Sequence, residues 1–262
     1  MKESTHSVVN IERRDKVLWI TINRPELRNA INDDVIAGIS GGLSAASQSP
    51  DVRAVVLTGA GERAFCAGAD LSPRSGIFDF DFSTPRTGYA DLLRQAAELD
   101  IPTVARVNGA CMAGGMGLLS MCDMAVASSN ARFGLPEVKV GMFPMQVASV
   151  MQALVPRRRF VEMCITGEPL TAQEALDIDL VNYVVEPDAL DEKVDWLLSR
   201  ITDKSPTAIR RGKHALRAIA DMTFAQSIAY TEAQIGSLRL TEDAKEGLAS
   251  FVEKRPPVWR GK

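Results

Sequence analysis

Two strand-like runs in this chain each break down into a cluster of glycine and alanine, and this repeated feature restricts the fold more than any other. The first cluster lies in "LTGAGERAFCAGADL", Leu57 to Leu71, and the second in "VNGACMAGGMGLL", Val107 to Leu119. Glycine gives up more backbone freedom on folding than any other residue, so such clusters need a geometric reason. Two reasons are available: close packing of a helix or turn, and the approach of a ligand to bare backbone. In the second case the N–H groups of Ala69 and Gly114 are the expected donors to the oxygen of a polarised carbonyl. Loss of one donor from such a pair typically costs about 100- to 1000-fold in rate.

The clusters sit in an alternation of strand-like and helix-like segments, which predicts an α/β fold. "KVLWITIN" (16–23), "RAVVLTG" (53–59) and "TVARVNG" (103–109) are rich in β-branched residues and read as strands. Asn32 opens a helix with Val35, Ile36, Ile39 and Leu43 on one face. Tyr89, Leu92, Leu93, Ala96 and Leu99 form a second such face, which stops before Ile101-Pro102. "SPRSGIFDFDFSTPRTG" (72–88) has no period and is expected to be a long mobile loop, which either covers a site or makes a simple surface excursion. Thr171 and Glu174 have capping-box spacing ahead of the strand-like "LVNYVV" (180–185). From Pro187 onwards the pattern is mainly helical, with starts at Ser205-Pro206 and Thr241. The expected organisation is a core over residues 1–200 and a helical region over 201–262.

Composition removes several classes of function. A net charge of -3 gives no polyanion-binding surface, so nucleic acid is not an expected partner. No apolar run approaches the roughly 20 residues of a membrane span, and "MKESTHSVVN" lacks the apolar centre of a signal peptide, so a cytoplasmic protein is expected. Cys66, Cys111, Cys122 and Cys164 lack C-x-x-C spacing and are expected to be four buried thiols. The only histidines are His6 and His214, and no G-x-S-x-G occurs, which leaves little material for a serine triad. Gly59 to Ala64 matches G-x-G-x-x-A. However, Phe65, Cys66, Gly68 and Pro73 make a poor helix where a dinucleotide fingerprint needs one.

Five segments then occur in a telling order: "RPELRNAIN", "AFCAGADL", "VNGACMAGGMGLLSMCDMAVAS", "ARFGLPEVKVG" and "TGEPLTAQEALDIDLVNYVV". Together they resemble the crotonase (enoyl-CoA hydratase/isomerase) family, from about Val17 to Arg255. The resemblance implies a crotonase-like ββα spiral core and a helical C-terminal oligomerisation region that builds trimers or hexamers and completes the CoA pocket. It also implies an acyl-CoA thioester substrate and no metal or redox cofactor. Its oxyanion donors match Ala69 and Gly114, and its acid/base residue matches Glu137. By the same register Ala67, Gly68, Asp70 and Gly115 line the thioester, Arg28 and Lys254 are candidates for CoA, and Phe143, near Met145 and Gln146, is a candidate for the acyl pocket.

One position departs from the pattern. Many family hydratases carry a first acid where this chain has Gly117, which has no side chain to exchange a proton. A lone Glu137 suits a shift of the double bond of a 3-enoyl-CoA, with the proton taken from C2 and returned at C4. Hydration of a 2-enoyl-CoA is usually shared by two carboxylates, so a further group is needed, and Asp79, Asp81 and Tyr89 are the candidates. Thioester hydrolysis, decarboxylation and non-catalytic acyl-CoA binding remain as alternatives.

Overall fold

A computed structural model describes residues 7–72, 75 and 81–262. The antiparallel hairpin of β1 (Val9–Arg14) and β2 (Val17–Ile22) comes first, followed by α1 (Asp33–Gln48), which is capped by the Asn32 side chain accepting from Val35 N–H at 3.0 Å. The chain then repeats one unit. β3 (Ala54–Gly59), β4 (Ala64–Cys66) and α2 (Gly88–Glu98) form the first turn, and β5 (Thr103–Val107), β6 (Ala110–Met112) and α3 (Gly114–Ser120) form the second. β7 (Met124–Ser128) and β8 (Arg132–Gly134) lead through a 3-10 turn at Pro136–Val140 into α4 (Met145–Met151). α5 (Arg157–Thr166), β9 (Leu170–Thr171), α6 (Ala172–Asp177) and β10 (Tyr183–Val185) close the core.

In each unit the first strand joins a six-stranded sheet of order β1-β2-β3-β5-β7-β10, and the second joins a four-stranded sheet of order β4-β6-β8-β9. Pairing along β3-β5-β7 and along β4-β6-β8 is parallel, so each turn of the chain adds one strand to both sheets. This is the expected ββα spiral.

The long strands read as continuous apolar runs because both of their faces are covered. Val55 and Leu57 point into the main core with Ile20, Ile39, Leu43 and Leu92. Ala54 and Val56 point the other way, onto Leu190, Val194, Leu197 and Ile201 of α7 (Leu190–Thr202). Three of the four cysteines are buried as expected, whereas Cys122, just past the end of α3, is half-buried and packs against the core. Burial pushes the thiols of Cys66 and Cys122 up to about 12.

Three further helices complete the chain: α8 (Pro206–Ile219), α9 (Phe224–Leu238) and α10 (Glu242–Glu253), with Ser205, Thr223 and Thr241 as side-chain N-caps. Asp243, 1% exposed, accepts from Ser205 Oγ at 2.8 Å and from the N–H groups of Arg260 and Gly261 at 2.8 and 3.0 Å. Helix α9 buries none of its residues, and Phe224, Ile228 and Ile235 are exposed on it.

The turn between β3 and β4 is held by buried amides. Asn29 is fully buried in the left-handed region (φ 56°); its Nδ2 donates to the carbonyls of Ala60 at 3.0 Å and Ala64 at 2.7 Å, and its Oδ1 accepts from Arg24 N–H at 3.1 Å. A Cβ on Gly59 would run into the Phe65 carbonyl and the Asn29 amide, so this glycine serves close packing. The chain enters β4 here and not a helix, in keeping with rejection of the dinucleotide reading. Asn29→Ala would take from the Ala60 carbonyl and the Arg24 N–H their only hydrogen-bond partner among the described residues, leave the Ala64 carbonyl to Asn108 Nδ2 at 3.2 Å, and place alanine at positive φ. Its expected cost is about 2–4 kcal/mol, read as a lower urea midpoint at unchanged slope; an unmoved midpoint would refute the assignment.

Candidate active site

Two main-chain amides are presented at adjacent strand ends. Ile31 forms an isolated parallel bridge with Ala69: its N–H donates to the Gly68 carbonyl at 2.8 Å and its carbonyl accepts from Asp70 N–H at 2.8 Å. That pattern uses the groups on either side of the Ala69 N–H and leaves it without a protein acceptor among the described residues. Gly68 sits at φ 96°, and a Cβ on it would lie 2.6 Å from Ala113 Cβ and 3.4 Å from Gly114 N.

Ala113 donates to the Gly134 carbonyl at 2.9 Å and takes φ 49°, ψ -122°, a conformation that favours glycine. Such a strained residue costs on the order of 1–3 kcal/mol, and here it sits directly ahead of the Gly114 N–H. A Cβ on Gly114 would fall 3.1 Å from Ile31 Cδ1, 3.8 Å from Tyr89 Oη and 3.9 Å from Ala69 N, so the two amides border one small space. Both residues are half-buried, which leaves them reachable. Two free donors at this spacing can hold a single oxygen that gains charge.

Glu137 stands in the 3-10 turn between the buried Leu135 and the left-handed Gly141, and its carbonyl accepts from Met142 N–H at 3.0 Å. Its Oε2 is shielded from solvent and has no hydrogen-bond partner among the described residues. Desolvation holds this carboxyl above the usual carboxylate range. The Glu137 charge in turn acts on the buried Tyr89 phenol and Cys164 thiol, each raised chiefly by its own burial. A carboxyl with an unoccupied oxygen and a raised pKa is fitted to take up and release a proton.

Gly117 faces this space from α3. A Cβ there would overlap Tyr89 Oη outright, with Tyr89 Cζ at 3.2 Å and Val147 Cγ2 at 3.4 Å. The Tyr89 O–H donates to the Gly114 carbonyl at 2.5 Å. The helix that carries Tyr89 is pinned at its start, where Thr87 Oγ1 accepts from Gln146 Nε2 at 2.6 Å and from Ala90 N–H at 3.3 Å. Helical spacing alone put Tyr89 on the apolar face of α2 and did not select it from the other candidates. The signal that singles it out is the missing side chain at 117, which leaves a volume that some other group must fill.

The remaining predicted residues fall into two groups. Near the amides, Ala67 N–H donates to the Arg28 carbonyl at 3.0 Å, which fixes the exposed Arg28 beside β4. A Cβ on Gly115 would meet the Cys66 carbonyl, so that glycine lets α3 press on β4. Asp70 is paired with Arg24 at 2.8 Å, both side chains 12% exposed, and this hydrogen-bonded guanidinium holds the carboxyl below its ordinary range. Phe143 is 42% exposed on the segment joining the Glu137 turn to α4. Elsewhere, Lys254 ends α10, which packs on α8. Asp81 is exposed and accepts from Ser83 N–H and Oγ at 2.9 and 2.6 Å, while Asp79 lies outside the described residues. His214 is exposed on α8, 4.0 Å from Asp100.

A family model described as enoyl-CoA hydratase/isomerase matches residues 12–262. The (E)-benzylidenesuccinyl-CoA hydratase of Thauera aromatica is 34% identical over 254 residues, covering 97% of this chain and 99% of the relative. The short-chain-enoyl-CoA hydratase of Clostridium acetobutylicum is 34% identical over 248 residues, covering 94% and 95%. Among solved structures, an enoyl-CoA hydratase of Mycobacterium smegmatis superposes with a TM-score of 0.89 at 31% identity, covering 97% of this chain and 99% of that one. A match over nearly the whole length in both sequence and fold leads to one conclusion: the chain belongs to the enoyl-CoA hydratase/isomerase family.

Proposed function

We propose that this chain acts on the double bond of an enoyl-CoA thioester, with the Ala69 and Gly114 amides holding the thioester oxygen and Glu137 moving the proton at C2. The observation that carries the reading is the shielded, unpartnered Oε2 of Glu137, on a carboxyl whose proton affinity is raised by burial. Two reactions use that arrangement. In hydration, the oxygen of water adds to C3 while the Glu137 carboxylate takes one water proton and delivers it to C2; the hydratase relatives favour this one. In isomerisation, Glu137 takes a proton from C2 of a 3-enoyl-CoA and returns it at C4; the absence of a carboxylate at Gly117 favours that one. Neither changes the overall oxidation state, so no redox cofactor is called for, and CoA arrives as part of the substrate.

Ala67, Gly68, Asp70 and Gly115 form the rim of the thioester site in this reading. Phe143 borders the acyl chain, and Arg28 and Lys254 serve CoA, Lys254 from a neighbouring copy. The helical region 201–262 mediates assembly into a trimer or hexamer, supported by α9, whose Phe224, Ile228 and Ile235 are left exposed by the described residues. A cytoplasmic location fits a chain in which no helix among the described residues is long and apolar enough to cross a membrane.

Three outcomes follow. Glu137→Gln lowers turnover of 2-enoyl- and 3-enoyl-CoA, assayed side by side, by about 10²- to 10⁴-fold and abolishes exchange of the C2 proton of an acyl-CoA in heavy water. If the unaltered chain binds acyl-CoA but neither exchanges nor turns over, it is a binder and the catalytic reading is wrong.

The same group sets a pH dependence. A carboxyl whose pKa is higher folded than unfolded binds more protons in the native state, so stability falls as pH rises from the unfolded value through the folded one. Activity moves the opposite way, since both reactions begin with the ionised base. Glu137→Gln is therefore expected to be at least as stable to urea as the parent at pH 8 and to lose that advantage near pH 4. Lastly, light scattering should give three or six times the 28.4 kDa chain mass, and Phe224→Glu with Ile235→Glu should disperse it; a 28.4 kDa species before substitution would exclude the assembly.

A further inference from the structure

The volume left by Gly117 is occupied by an oxygen with directed lone pairs, and its surroundings decide what that oxygen can do. Tyr89 is 8% exposed, and its O–H donates to the Gly114 carbonyl at 2.5 Å. A carbonyl only accepts, so the single phenol proton is committed to that bond and only lone pairs are left for another partner. Burial keeps the phenol un-ionised and disqualifies it as a base. The same oxygen stands where a Cβ on Gly117 would be, and it feels the charge of Glu137. Val147 Cγ2 lies 3.4 Å from the same Cβ position, and the helix that carries Tyr89 is pinned at its start by the Gln146–Thr87 hydrogen bond.

We propose that Tyr89 Oη positions the reacting water, accepting a hydrogen bond from one hydrogen of the water while Glu137 takes the other. The assignment rests on the enoyl-CoA reading above and selects hydration within it. In the step, the water oxygen forms its bond to C3 and the C2–C3 π pair moves towards the thioester oxygen between the Ala69 and Gly114 amides. Glu137 takes one water proton and then gives it to C2, so that one water is added and the carboxylate is restored. The phenol proton stays on Oη, hydrogen-bonded to the Gly114 carbonyl, throughout. Tyr89 is thus a positioning residue that replaces a second carboxylate with a neutral acceptor. It avoids placing two negative charges on one water.

The test compares two reactions of the full chain. Hydration of a 2-enoyl-CoA needs a placed water. Deuterium exchange at C2 of saturated butanoyl-CoA needs only Glu137 and the amides. Tyr89→Phe is expected to lower hydration kcat by about 10- to 100-fold with KM within about threefold, and to leave exchange within about threefold of the parent. Gly117→Ala, whose methyl displaces the phenol oxygen without removing it, should show the same selective loss. An equal fall in both reactions would mean that Tyr89 merely holds Gly114 in place, and no fall in hydration would mean that it touches no water; either overturns the proposal. Parent protein that performs neither reaction, with Glu137→Gln as its control, overturns the enoyl-CoA reading itself and the role of Tyr89 with it.

Discussion

The closeness of the loop after β4 to the start of α3 is the contact on which the chemistry of this chain depends. Gly68 meets Ala113 and Gly114 with no room for a side chain, and the approach is fixed by backbone bonds on both flanks, to Ile31 on one side and to Gly134 on the other. Parallel pairing of β4 with β6 makes it possible, because it brings the carboxyl ends of two successive units to the same edge of the small sheet. Ligand sites of α/β proteins gather at such edges for the same topological reason. The repeat of the chain therefore creates the two-amide space before any side chain contributes.

Much of this was legible in the letters, and what was not has a physical cause. The long strands, α1 and α2 announce themselves through period, since each buries a wide apolar face, and α8 and α10 through their caps and a proline. By contrast β4, β6 and β8 are three residues each, too short to show alternation, and are flanked by glycines that read as loop. The small sheet is known from sequence only through family resemblance. Ala69 and Gly114 could be named because small residues mark them, and Glu137 only through its place in the family pattern. Tyr89 could not be chosen, because its hydroxyl acts across two helices and nothing in the spacing of α2 reports what Gly117 lacks.

The site also shows where stability is surrendered for chemistry. Ala113 is held in a conformation that glycine would accept more easily, and Glu137 keeps an oxygen buried without a partner. Both features are locally unfavourable, the pattern expected of a working site and not of a packing region. Exchanging a carboxylate at 117 for a neutral phenol moderates the cost, since a single buried charge is easier to hold than two.

The cysteines around this space have a chemical consequence of their own. An α,β-unsaturated thioester is an electrophile that soft anionic sulfur attacks at its β-carbon. Cys66, whose Sγ accepts from Gly68 N–H at 3.5 Å, is pushed up to about 12. At neutral pH only on the order of one in 10⁵ of such thiols is ionised. With the thioester held as proposed above, burial keeps this sulfur un-ionised, and so a poor nucleophile, beside a Michael acceptor.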